Sequence, residues 1–174
     1  MKALVLSGGS PEADRSVLFR VLEQIADVGI TDVGIVLGGA ADAVRAAVGD
    51  GARFGVGVTY LPRSRRPGPG AAVGTARDWL GDDDFVTHPE DVLVPGGIGE
   101  QVEAFRIRRP AAQVVPGPAG VYFFTDAVHR AVDAVQAAAP GGPEITDVLR
   151  WLTDQGLEVV SATPAGSGPA PIHP

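Results

Sequence analysis

The chain has no cysteine, which excludes a disulfide framework and any thiolate metal site and suits a reducing compartment. Positive charge is scarce. The 14 Lys and Arg residues face 21 Asp and Glu, for a net charge of −7 and a pI near 4.8. The molecule as a whole therefore repels polynucleotides and anionic membrane surfaces. No apolar run approaches membrane-spanning length, and the opening Met1-Lys2-Ala3-Leu4-Val5-Leu6 reaches glycine too early for a signal peptide. These absences predict a cytoplasmic protein that acts on a small-molecule substrate, with no nucleic acid and no membrane as partner. A homo-oligomer or a biosynthetic partner protein is left open. What the chain does have is 45% hydrophobic residues in 174, enough for one well-buried domain and too little for two. We place that domain at residues 1–160. Residues 161–174, rich in Pro, Gly and Ser, read as a flexible tail.

Periodicity alternates between strand and helix. Residues 2–7 form a short apolar run before glycine, as in a buried parallel strand. Over residues 16–28 the apolar positions Val17, Leu18, Val21, Leu22, Ile25 and Val28 share one helical face, and Gly29 is placed to end it. Further strands are predicted at residues 32–37, 56–61, 84–87, 113–115, 121–124 and 157–160. Helices are predicted at 41–48, 71–80, 98–109, from Thr125 onward and from Pro143 to 155. Such alternation implies an α/β fold: a Rossmann-like three-layer sandwich with a mostly parallel sheet. Ligands bind such sheets beyond the carboxyl ends of the strands. That rule selects the turn after the first strand, the cationic Pro/Gly loop at residues 62–70, the segment after Thr87 and the approach to Val121.

The first of these, Leu4-Val5-Leu6-Ser7-Gly8-Gly9-Ser10, opens like a phosphate-binding turn, because glycines let backbone amides approach a ligand. It continues as Pro11-Glu12-Ala13-Asp14-Arg15, two carboxylates and one cation, which is poor chemistry for a triphosphate. This opening resembles the sugar nucleotidyltransferases, most closely the glucose-1-phosphate thymidylyltransferases of antibiotic-sugar pathways. The likeness extends through Gly49-Asp50-Gly51, Tyr60-Leu61-Pro62, Ala76-Arg77-Asp78-Trp79-Leu80-Gly81, Gly120-Val121-Tyr122-Phe123-Phe124 and Glu144-Ile145-Thr146-Asp147. It implies that family's nucleotidyltransferase-like fold.

Against the family pattern, the positions that carry the reaction depart one after another. A stretch of the catalytic loop, with its arginine and lysine, has no counterpart after Ser10. Arg63 stands where the resemblance implies a base-reading glutamine, although Gly68 fits the glycine beside the base. In place of Gly-Asp-Asn, whose aspartate holds magnesium in the family, the chain reads Glu90-Asp91-Val92. The sugar-holding segment is reduced to the join between Gln113 and Ala119, and the second metal-binding aspartate has no counterpart. The resemblance therefore implies loss of nucleotidyl transfer.

His88-Pro89-Glu90-Asp91 is the sharpest remaining cluster, an imidazole and two carboxylates within four residues after a strand at the binding edge. We assign His88, Glu90 and Asp91 as candidate acid–base residues. The competing reading makes His88 an exposed loop residue and Asp91 a relic or cap. Ser7, Gly8, Asp14, Arg15, Arg63, Gly68 and Tyr122 are candidate ligand-binding residues, with Arg63, Arg65 and Arg66 forming a lid. Glu144 and Asp147 suit the first turn of a helix. No metal site and no cofactor is expected. The reading favoured by the sequence is a repurposed protein that binds a small secondary metabolite and acts on it as a cofactor-free cyclase, isomerase, lyase or hydrolase. Two alternatives stand beside it: a non-catalytic pseudoenzyme partner of a biosynthetic protein, and a residual glucose-1-phosphate thymidylyltransferase.

Overall fold

In the computed structural model, which describes residues 1–8, 15–64, 66–117, 120–139, 141–162 and 170–171, four apolar runs become parallel strands. These are β1 (Lys2–Leu6), β2 (Asp32–Val36), β3 (Gly57–Leu61) and β4 (Phe85–Pro89). Helices α1 (Arg15–Asp27), α2 (Ala41–Val48), α3 (Pro69–Thr75) and α4 (Arg77–Leu80) lie between them. The second half supplies α5 (Gly99–Arg108), β5 (Ala112–Val115), β6 (Val121–Phe124), α6 (Ala127–Ala138), α7 (Ile145–Asp154), β7 (Val159–Ser161) and β8 (Ala170–Pro171). The strands form one sheet in the order β3-β2-β1-β4-β6-β5-β7-β8, with β6 antiparallel to both of its neighbours. From β1 the chain steps outward through β2 and β3, then returns to add β4 on the other side of β1. A crevice is therefore expected at the carboxyl ends of β1 and β4.

Alternation along the strands sorts the core into two layers. Ala3, Val5, Val33, Ile35 and Val86 meet Leu18, Val21, Leu22 and Ile25 of α1 and Val102 and Phe105 of α5. Leu4, Val36, Leu61 and Phe85 face the other way, onto α3, α4, α6 and α7. The three-layer sandwich expected from the sequence is the fold observed. Among the described residues, no helix is long and apolar enough to cross a membrane.

Four boundaries differ from expectation. The helix expected over residues 71–80 starts at Pro69 and breaks at Ala76, whose φ of −87° and ψ of 1° leave the helical region. The Thr75 hydroxyl donates to the Ala71 carbonyl at 3.1 Å, a contact that bends helices at that point. Strand β4 runs two residues beyond Thr87, because His88 and Pro89 stay in register with Val5 and Leu6. Helix α7 begins at Ile145, with Glu144 as its extended N-cap, so Pro143 precedes it. In the segment read as a tail, Ser161 belongs to β7 and Ala170–Pro171 pairs with it as β8. Residues 163–169 and 172–174 lie outside the described residues.

Candidate functional site

At the carboxyl ends of β1, β2 and β4 a cleft of about 410 Å3 opens beneath the loop leading into α3. Leu6, Val36 and Pro89, all on the α3 side of the sheet, form its floor. Ser7, Gly8 and Gly38 form one wall, and Arg63, Ser64, Arg66, Pro67, Gly68 and Pro69 form the other. Gly68 has a φ of +99°, a conformation that L side chains avoid, so glycine is required where the loop turns into α3. Asp91 is the one acid among the described lining residues. The Ser7 hydroxyl is buried with no hydrogen-bond partner among the described residues, although its backbone amide donates to the Val36 carbonyl at 3.1 Å. The cleft thus combines an orphan hydroxyl with two guanidinium groups that form no ion pair among the described residues. Arg66 was named from the sequence only as part of the lid, and Gly38 was not named. Only proximity in the fold brings them to the cleft.

Glu90 is 5% exposed, and its Oε1 accepts a hydrogen bond from the Gly8 amide at 2.8 Å. The amide that a phosphate-binding turn offers to its ligand is therefore already taken by a carboxylate of the same chain. A charge-assisted bond of this kind is about twice as strong as a neutral one, so an anionic ligand meets both an occupied donor and a like charge.

His88 corrects the expectation placed on it. It is fully buried within β4 and is not a loop residue. Its place in the alternation, with Val86 and opposite Val5, turns it to the α1 and α5 side, away from the cleft. Its Nδ1 lies 2.8 Å from the Pro89 carbonyl, and Nε2 is buried with no hydrogen-bond partner. Burial lowers its pKa, so the ring stays neutral at physiological pH. An unfolded histidine titrates near ~6.5. As pH falls past that value the unfolded state takes up a proton that the native state refuses, so acidification destabilises the fold until the lower native pKa is reached. Denaturant titrations at pH 7.5 and 5.5 should show this loss in the wild type and a smaller one in His88→Gln. Equal losses in the two proteins would contradict a buried neutral imidazole.

The remaining candidates are dispersed. Tyr122 is half-buried on β6 and stacks on Phe124 with ring centroids 6.1 Å apart. Burial raises its phenol pKa, and it is not among the cleft-lining residues. Arg15 is the first residue of α1, and its Nη1 and Nη2 are buried without a hydrogen-bond partner among the described residues, off the described cleft lining. Asp14 and Arg65 lie outside the described residues. Asp147 pairs with Arg150 one turn on, at 3.1 Å, a structural role. The structure thus brings Ser7, Gly8, Arg63, Gly68 and Asp91 to one cleft, with Glu90 behind Gly8, and leaves His88, Tyr122 and Arg15 outside it.

The magnesium implied by the resemblance does not fit the residues present. Among the described residues no three His, Cys, Asp or Glu side chains group to hold an ion. Asp91 is the single acid of the described lining, and Glu90 turns an oxygen to the Gly8 amide.

No protein-family model matches the chain. It is 38% identical to a glucose-1-phosphate thymidylyltransferase of Streptomyces griseus over 216 residues, covering 95% of this chain and 61% of the relative. It is 39% identical to one of Streptomyces antibioticus, over 92% of this chain and 60% of the relative. The chain thus spans about three fifths of the length of the curated relatives it matches. At least 42 of the 216 aligned positions in the S. griseus protein have no counterpart in these 174 residues. Among solved structures, a Bacillus anthracis chain assigned as a glucose-1-phosphate thymidylyltransferase and complexed with a sucrose superposes with a TM-score of 0.79 at 19% identity. That match covers 96% of this chain and 88% of the other. A UDP-glucose pyrophosphorylase complexed with UDP-glucose gives a TM-score of 0.74 at 12% identity, over 96% and 92% of the two chains. The structural likenesses establish the fold. With the identity to the Streptomyces proteins across nearly all of its length, they show that this chain belongs to the sugar nucleotidyltransferase family.

Proposed function

We propose that the chain binds a thymidine nucleotide in the cleft and carries out residual thymidylyl transfer to glucose 1-phosphate. The observation that carries this reading is the cleft at the switch point of the sheet, walled by the Ser7–Gly8 turn on one side and by Arg63, Arg66 and Gly68 on the other. The names of the Streptomyces relatives supply the nucleotide and the acceptor. In the reaction a phosphate oxygen of glucose 1-phosphate forms a bond to the α-phosphorus of dTTP, and pyrophosphate leaves with the electron pair of the broken P–O bond. The two guanidinium groups would neutralise phosphoryl oxygens, and the Ser7 hydroxyl would donate to one. Turnover is expected to be slow. Glu90 holds the Gly8 amide, and losing one preorganised donor costs on the order of 10²–10³ in rate.

The tailoring chemistry built on His88, Glu90 and Asp91 has less support, since only Asp91 of the three lines the cleft. The non-catalytic partner reading and the tailoring reading both expect no stabilisation by dTTP, so one assay separates them from residual transfer. Saturation with dTTP at a hundredfold excess over Kd stabilises a protein by about 2.7 kcal/mol, which for a domain of this size is roughly 5–10 °C in Tm. Such a shift is expected, together with slow pyrophosphate release when glucose 1-phosphate is added. A shift without release would leave a binding protein. No shift at millimolar dTTP would overturn the proposal.

A further inference from the structure

The cleft is not the most capacious cavity among the described residues. A second one, of about 660 Å3, lies between the loop at residues 62–66, the 71/74/75 face of α3, and the end of α6 with the loop that follows it. Its described lining contains Arg63 and Arg66 and no aspartate or glutamate. In a chain whose acids outnumber its bases by 21 to 14, a concave surface with two cations and no acid is a marked departure.

The seat of Arg66 sharpens this. The side chain lies against Gly142, where a Cβ would come within 2.6 Å of its Cδ and 3.1 Å of its Nη1. Gly142 has a φ of +96°, and this backbone conformation is what favours glycine there. The guanidinium is thus held on bare backbone, with no carboxylate partner among the described residues. Around it are the neutral polar groups of Gln136, Ser64 and Thr75. No aromatic ring is among the described lining residues, so these offer no surface on which a nucleobase could stack.

We infer that this cavity is a second binding site, for a small phosphomonoester, with Arg63 and Arg66 holding the phosphate and Gln136, Ser64 and Thr75 meeting the polar remainder. Arg63, Ser64 and Arg66 line both cavities. An occupant of the outer site therefore changes nucleotide affinity in the cleft, and the nucleotide changes its affinity by the same factor.

The test uses glucose 6-phosphate, a phosphomonoester outside the proposed reaction, titrated into the 15N-labelled full chain. Saturable shifts are expected at the amides of Gly74, Thr75, Gln136 and Gly142. Gln136→Glu, at an exposed position on α6, should leave Tm unchanged and weaken binding about tenfold by adding a negative charge to the cavity that receives the phosphate and by replacing the amide that meets the polar remainder. Shifts confined to Gly8 and Gly38, no saturable shift at all, or undiminished affinity in Gln136→Glu would each overturn the inference. A dTTP titration of the same sample reads the cleft separately, so failure of the outer site is distinguishable from failure of the nucleotide reading.

Discussion

Glu90→Gln is expected to tighten dTTP binding by about tenfold or more while leaving the fold intact. The glutamine carbonyl oxygen can keep the 2.8 Å bond from the Gly8 amide, so that buried donor stays satisfied while the negative charge is removed. Two like unit charges ~4 Å apart repel by about 1 kcal/mol in bulk water and about 4 kcal/mol near a protein surface. A factor of ten needs only ~1.4 kcal/mol. Glu90→Ala should tighten binding further, because it also frees the Gly8 amide for a phosphate oxygen. In the unliganded protein that variant loses the charge-assisted bond, worth about 1.5–3 kcal/mol. Calorimetric titration of the three proteins in low salt checks the order alanine, glutamine, wild type. Weaker binding in both variants would mean that Glu90 helps the ligand and does not compete with it.

Gly70→Ala should cost about 1–3 kcal/mol, the usual penalty for overfilling a packed site, or roughly 3–10 °C in Tm. A Cβ at Gly70 would stand 2.3 Å from the Pro143 carbonyl oxygen, which is backbone and cannot swing aside. Helix α3 and the α6–α7 loop must then separate. Since residues 62–69 run directly into α3, the separation should also displace Arg66 from its seat on Gly142 and weaken dTTP binding. Thermal unfolding and calorimetry on one preparation read the two effects together. By contrast Gly68→Ala, with nothing within 4 Å of the added methyl among the described residues, is strained through its backbone alone, where a φ of +99° with a ψ of 158° costs about 1–3 kcal/mol. If Gly70→Ala leaves both Tm and dTTP affinity unchanged, the close approach of α3 to Pro143 does not constrain the loop.

Most of the architecture was legible in the sequence because most strands are short apolar runs closed by glycine or proline and helices such as α1, α6 and α7 carry a one-sided apolar face. Leu18, Val21, Leu22 and Ile25 are buried as their spacing implied. The site was only partly legible, for three physical reasons. Strand parity decides which face a residue serves, so extending β4 by two residues turned His88 from a loop acid–base candidate into a buried residue on the side away from the cleft. The Glu90–Gly8 bond joins residues 82 apart, and no local pattern encodes it. Arg66 gains its role from a glycine seat at residue 142, again across the chain. Gly8, Arg63, Gly68 and Asp91 line one cleft because they follow strand ends or precede a helix, where topology fixes position; the family resemblance had singled out Arg63, Gly68 and Asp91 individually.

The central claim is that the β1–β4 cleft is a nucleotide site whose Gly8 amide is held by Glu90. Titration of dTTP into the wild type, Glu90→Gln and an Arg63→Ala/Arg66→Ala double variant tests it most directly. The account predicts tighter binding in Glu90→Gln and binding at least tenfold weaker in the double variant than in the wild type, since each charged contact contributes about 1.5–3 kcal/mol. Equal affinity in all three proteins, or no binding in any of them, would contradict it.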